Sequence, residues 1–190
     1  ILSAETMVLL EDLYRPYKPK RRTRATIAKE KGLEPLAGVI TLQMIKTPLI
    51  EEAAKYVDAE KGVTTAEEAI AGASDIIAES ISDEADYRTH IRDLTVKKGR
   101  MTSTAKDPET ESVYEMYYDF DEPVAKLAGH RILAVNRGEK EKFLTVKIEA
   151  PQEDILRYLE KKVIARDNPQ TNEVLRDVVR DAYDRLIAPA

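Results

Sequence analysis

Glycine and proline punctuate this chain, so its helices read as short and separated by breaks. Gly32, Pro48, Gly62, Gly99, Pro108, Pro151 and Pro169 recur along the 190 residues. Most of them end a helix or open the next, and Pro108 makes a turn with Asp107 after a strand. Between the breaks, helical spacing dominates. Ile1 to Leu13 puts Leu2, Met7, Val8, Leu9, Leu10 and Leu13 near that spacing, with Ser3 and Thr6 as early caps. Thr26 to Lys31 has helical composition with Gly32 as its C-cap, and Leu33 to Leu42 restarts with Pro35 in the first turn. Pro48 opens a helix through Val57 with Leu49, Ile50, Ala53, Ala54 and Val57 on one side, and Gly62 ends it. Thr64 and Thr65 cap the next helix, Glu67 and Glu68 suit its positive end, and Ala69, Ile70, Ala73, Ile76, Ile77 and Ile81 form its apolar stripe. A further helix starts at Asp83 and ends on Lys97, Lys98 and Gly99.

Beyond Gly99 the pattern changes. Arg100 to Lys106 alternates weakly and Phe143 to Ile148 clearly, with Leu144, Val146 and Ile148 on one face, so both read as strands of a two-stranded ribbon. Such a ribbon is marginal alone. The aromatic cluster of Tyr114, Tyr117, Tyr118 and Phe120, with Val113, is its expected seat. Val124 to Val135 reads as helix, Pro151 restores helix through Ile164, and a last helix runs from about Gln170 to Ile187 with Val174, Leu175, Val178, Val179, Tyr183 and Leu186 inward. The expected fold is mainly α with a small β ribbon. Residues 1–98 form a helical region, 99–150 an α+β segment, and 151–190 C-terminal helices leading toward a downstream domain. A start at Ile1 and an end inside a helix read as a segment of a longer protein.

Charge is distributed unevenly. From Arg15 to Lys31 there are eight Lys or Arg and one acid, Glu30, a local +7 in a chain of net −5, which leaves −12 elsewhere. Pro16 and Pro19 fall inside this stretch. They predict a stiff, polyproline-like connector from Tyr14 to Arg22 that joins two helices. By contrast Thr64 to Tyr87 carries Glu67, Glu68, Asp75, Glu79, Asp83, Glu84 and Asp86 and no Lys or Arg. A DNA-reading helix must approach two rows of phosphates, so these helices read as scaffold.

Two ordered motifs carry a family resemblance. The run from Asp12 to Arg24, followed by Ala28 to Leu36, resembles the signature of the bacterial Tex family of transcription accessory proteins. Glu122-Pro123, then His130-Arg131, Leu133-Ala134 and Arg137-Gly138-Glu139, resemble that family's downstream motif. The resemblance implies the N-terminal and central helical region, with a helix-turn-helix-like arrangement over residues 33–98. It also implies a much longer protein with YqgF, helix-hairpin-helix and S1 RNA-binding domains, none of which is visible in this sequence. A role in transcription or RNA metabolism follows from the resemblance, as does nucleic-acid binding chiefly through the S1 domain.

The residues themselves offer little catalytic chemistry. Seven glycines are scattered singly, so no phosphate-cradling loop exists. His90 and His130 lack nearby His or Cys partners, and the acids Asp119, Asp121 and Glu122 read as solvated surface rather than a Mg²⁺ site. Neither an enzyme nor a cofactor is expected. No apolar run approaches a membrane span, and the absence of Cys suits a reducing cytoplasm. The connector is the one candidate site. Arg15, Lys18, Lys20, Arg21, Arg22 and Arg24 suit phosphates, with Tyr14 and Tyr17 placed to stack on bases. The opposing reading has these cations clamping the chain's own acidic helices. A third reading has the fragment dock on the transcription machinery without touching nucleic acid.

Overall fold

The computed structural model describes residues 6–18 and 21–190. In chain order the elements are α1 (Met7–Tyr14), α2 (Arg24–Glu30), α3 (Glu34–Leu42), α4 (Leu49–Ala54), α5 (Ala66–Ser82), α6 (Ala85–Lys98), β1 (Arg100–Ala105), β2 (Asp119–Pro123), α7 (Gly129–Lys140), β3 (Leu144–Glu149), α8 (Gln152–Val163) and α9 (Asn172–Asp181). The fold is mainly α with one small antiparallel sheet. It divides into two compact units, one built from residues up to Thr89 together with Leu156–Ala190, the other from His90–Ile155.

In the first unit α5 is the hub, packing against α2, α3, α4 and α9. Its start is fixed by side chains: Thr65 Oγ1 accepts from Glu68 N–H at 3.1 Å, and the Glu68 carboxylate accepts from Thr64 N–H at 2.9 Å. Those hydrogen bonds from Thr64 hold the Glu68 carboxyl below its ordinary range. Ala69, Ala73, Ile76, Ile77, Ala78 and Ile81 are buried along one face. Alanines on this face let neighbouring helices approach, and Gly72 goes further, since a Cβ there would lie 2.3 Å from Leu33 Cδ1. Gly32 (φ +76) ends α2 as expected: its N–H bonds Lys29 C=O at 3.0 Å and Leu33 N–H bonds Ala28 C=O at 3.2 Å.

Three expectations in this unit change. The helix after Pro48 stops at Ala54, and Ile50 and Val57 are exposed; only Leu49 and Ala53 of the expected stripe are buried. The chain turns instead through Gly62 (φ +83), with Asp58 and Val63 bridged, and Val63 enters the core. The polyproline reading of the connector fails at its start. Tyr14 closes α1, Arg15 is helical (φ −50, ψ −44), and Arg15–Tyr17 form a 3-10 turn with Pro16 in its first positions, where a missing N–H costs nothing. Lys18 (φ −69, ψ 134) is extended, as a residue before proline should be. Pro19 and Lys20 lie outside the described residues, as does the start of the first expected helix with Ser3. Finally, the last helix ends at Asp181 and continues as a π turn over Ala182–Ile187.

The second unit holds a three-stranded sheet in the order β2-β1-β3, both pairs antiparallel, not the expected two strands. Met101, Phe120 and Leu144 point inward and meet Tyr114, Tyr117 and Val135 of α7. The aromatic cluster therefore seats the sheet, although Val113 stays exposed. β2 escaped the reading because it is acidic and has one inward apolar residue, Phe120, whereas strands ordinarily favour β-branched and aromatic residues. The expected helix over Val124 to Val135 is a 3-10 turn (Val124–Lys126) followed by α7, which runs on to Lys140.

Candidate nucleic-acid interface

The basic segment is held at two points. Thr6 caps α1, its Oγ1 accepting from Leu9 N–H at 3.1 Å, and the 3-10 turn extends that helix to Tyr17. On the far side Thr23 caps α2, accepting from Thr26 N–H at 3.1 Å. The same hydroxyl donates to Glu79 of α5 at 2.9 Å. The segment therefore lies along the α5 hub.

This arrangement gathers four of the expected cations. Arg15, Lys18, Arg21 and Arg24 line one cleft of about 450 Å³. Its other walls are Asp75, Glu79 and Ser82 of α5, Asp83, and Arg185 with Leu186 from the C-terminal turn. Arg88 stiffens this end of the unit. It is 5% exposed, and its guanidinium donates to the carbonyls of Ser82 and Leu186. Arg22 does not line the cleft; it meets Glu30 of α2 at 2.8 Å with both side chains more than half exposed. Lys18 lies 3.7 Å from Glu11, again between exposed groups. Tyr17 is 75% exposed and Tyr14 39%, so the Tyr17 ring above all is open to stacking. Lys20 lies outside the described residues.

Among the described residues no carboxylate lies within ion-pair distance of Arg21 or Arg24, although Arg24 acts on Asp75 through space. The Nε of Arg15 is buried and has no hydrogen-bond partner among the described residues. Across the cleft, burial raises the Asp75 carboxyl above its ordinary value, while Arg185 and Arg24 pull it back down. Arg185 is the member that sequence inspection missed. It forks onto Asp181, four residues earlier, at 2.9 to 3.3 Å and lies 3.7 Å from Asp75. The spacing from Asp181 is legible in sequence; the approach to α5 is not.

The downstream motif comes together in the second unit as a packing device. Arg131 pairs with Glu122 and places its guanidinium 6.0 Å from the centre of the Phe120 ring. Asp121 meets Arg100 at 2.6 Å, so two of the three acids weighed for Mg²⁺ are paired with arginines. Gly138 lets β3 close on α7, since a Cβ would lie 2.5 Å from Leu144 Cδ1. Among the described residues no group of three or more His, Cys, Asp or Glu is arranged to hold a metal ion, and no helix is long and apolar enough to cross a membrane.

The family model described as Tex central region-like matches residues 46–188. The Bacillus subtilis protein YdcI is 50% identical over 184 residues, covering 95% of this chain and 26% of its own length. Protein tex of Bordetella pertussis is 42% identical over 150 residues (78% of this chain, 19% of its own length). Transcriptional accessory protein Tex of Neisseria gonorrhoeae is 36% identical over 156 residues (81% and 20%). The chain thus spans about a fifth to a quarter of the length of the relatives it matches. With the matched region covering the α5 hub, the sheet and the downstream motif, the chain belongs to the Tex family.

Proposed function

We propose that this chain is a non-catalytic helical scaffold of a cytoplasmic, RNA-binding transcription accessory protein, and that its basic segment contacts nucleic-acid phosphates. The observation that carries the reading is the state of the connector's cations. Among the described residues Arg21 is in no ion pair, Arg24 acts on Asp75 only through space, and the pairs made by Lys18 and Arg22 are exposed. Exposed pairs are worth at most about 1 kcal/mol and exchange readily for phosphate. A clamp on acidic helices needs buried, forked pairs, and Arg185 on Asp181, not a connector residue, has that forked form. Tyr17 beside these cations supplies the aromatic surface on which single strands stack. The helices over residues 33–98 act as support, because α5 turns Asp75 and Glu79 toward the cations and has no Lys or Arg of its own.

The test is the triple substitution Arg21→Ala, Arg22→Ala, Arg24→Ala, assayed for single-stranded RNA binding across a salt titration and for thermal stability. Contact predicts weaker binding and a salt slope shallower by roughly 0.7 per lost phosphate contact, at nearly constant melting temperature. Unchanged affinity with a lowered melting temperature would overturn the reading in favour of the clamp.

A further inference from the structure

We infer that the cleft between the basic segment and α5 is a binding site for a phosphate group, centred on Arg15. Five cationic side chains line it: Arg15, Lys18, Arg21, Arg24 and Arg185. The three carboxylates in its walls, Asp75, Glu79 and Asp83, offset only three of these charges, with Asp75 facing Arg185 at 3.7 Å. The cleft therefore carries surplus positive charge behind the surface along which the segment runs.

Arg15 gives that surplus a focus. Buried N–H donors are almost always satisfied, and an exception in a native fold calls for an acceptor. The unpartnered Arg15 Nε is such an exception. An anion is the acceptor this wall selects, because Lys18, Arg21 and Arg24 beside the Nε offer donors only, and the acceptors of the same cleft, Asp75, Glu79, Ser82 and Asp83, do not hydrogen-bond to it. Four cations on different stretches of one wall suit the oxygens of a tetrahedral phosphate better than a planar carboxylate, and guanidinium forks match phosphate geometry. The volume, about 450 Å³, admits a phosphate with the sugar attached to it. The same chemistry is offered by free orthophosphate and by the terminal phosphate of a strand. For the strand as source, the inference rests on the nucleic-acid reading above.

The experiment titrates the 190-residue chain with inorganic phosphate at constant ionic strength, chloride being exchanged out. It follows the Arg15 Nε–Hε resonance and the melting temperature. A saturable shift of that resonance is expected, with a melting temperature that rises as phosphate is added, and Arg15→Gln should lose at least tenfold in phosphate affinity. The resonance reports on the unsubstituted protein, so a poorly folding variant does not remove the test. Two oligoribonucleotides of one sequence, with a 5′-phosphate and with a 5′-hydroxyl, separate the sources. At least fivefold tighter binding of the phosphorylated strand, abolished by Arg15→Gln, assigns the site to strand ends; equal binding beside an intact phosphate titration assigns it to free phosphate. Absence of a saturable shift, or phosphate affinity kept within twofold by Arg15→Gln, overturns the inference whatever RNA does. RNA affinity indifferent to the triple substitution overturns the earlier reading and leaves the phosphate titration standing on its own.

Discussion

The hydroxyl of Thr23 bonds in two directions, accepting from Thr26 N–H at 3.1 Å and donating to the Glu79 carboxylate at 2.9 Å, 56 residues away in sequence. One small side chain therefore starts α2 and fastens the basic segment to the hub. Thr23→Val keeps the shape and removes both bonds. A lost cap costs about 1 kcal/mol and a lost bond to a charged group about 1.5 more, so urea denaturation should show a loss of roughly 2.5 kcal/mol. Thr23→Ser, which keeps the oxygen, should stay within about 0.5 kcal/mol of the parent. An equal loss in both would mean that the methyl group, not the hydroxyl, matters.

Gly138 and Gly38 both sit inside helices, and alanine should act on them in opposite directions. At Gly138 a Cβ would lie 2.5 Å from Leu144 Cδ1, 2.9 Å from Leu144 Cγ and 3.2 Å from Tyr114 Cδ1, all on buried side chains. Overpacking of that kind costs about 1 to 3 kcal/mol, against about 1 gained in helix propensity. Gly138→Ala should therefore be destabilising. Nothing lies within 4 Å of a Cβ at Gly38, so Gly38→Ala should stabilise by roughly 0.5 to 1 kcal/mol. Chemical denaturation of the two variants checks both signs.

These glycines mark how far the sequence alone reaches. Strong local signals were legible: Thr65 with Glu68 at the start of α5, Gly32 at the end of α2, Pro35 in the first turn of α3, and the alternation of β3. Each rests on a few neighbouring residues. β2 was not legible, because a strand with Asp119, Asp121 and Glu122 owes its place to Phe120 and to pairing with β1. The basic segment was legible as a charged stretch, but the cleft was not. It needs Arg185 beside Asp75, a pairing across 110 positions that no local pattern encodes.

The pair between Arg131 and Glu122 joins the two halves of the downstream motif. Both side chains are about one third exposed, which places the pair between surface and buried behaviour. A double-mutant cycle with Arg131→Ala and Glu122→Ala should return a coupling of about 1 kcal/mol. Arg131→Lys should lose part of the Phe120 contact as well, since ammonium cannot lie flat on a ring. A coupling near zero would reduce the pair to a surface accident.

Acid sensitivity has an assignable part. Glu68 is held below its ordinary value of 4.5 by Thr64, and Glu141 below 4.5 by the Tyr114 hydroxyl at 2.8 Å and by Arg137. A depressed folded-state value stabilises fully above the unfolded value and is lost as pH falls through the folded one. Stability should thus drop below about pH 4.5, and Glu68→Gln with Glu141→Gln should flatten that drop relative to the parent. Asp75 acts in the opposite sense: its value is raised above 3.8 by burial, so its penalty, complete at neutral pH, is relieved as pH falls toward 3.8. Urea midpoints measured across this range for parent and variant isolate the two glutamates. An unchanged slope in the double variant would place the acid sensitivity elsewhere.

The first unit is discontinuous: its residues up to Thr89 are completed only by Leu156–Ala190, with His90–Ile155 forming a unit of their own in between. During synthesis the consequence is one of timing. α5 leaves the ribosome long before α9, the helix that covers part of its apolar face, so Ile76, Ile77 and Ile81 spend that interval incompletely covered. The inserted unit is continuous and has its whole core in hand once β3 has emerged, which lets it close first. A nascent chain halted before Leu156 would then hold one finished unit and one open helical array, the form in which such a chain is most exposed to proteases and chaperones.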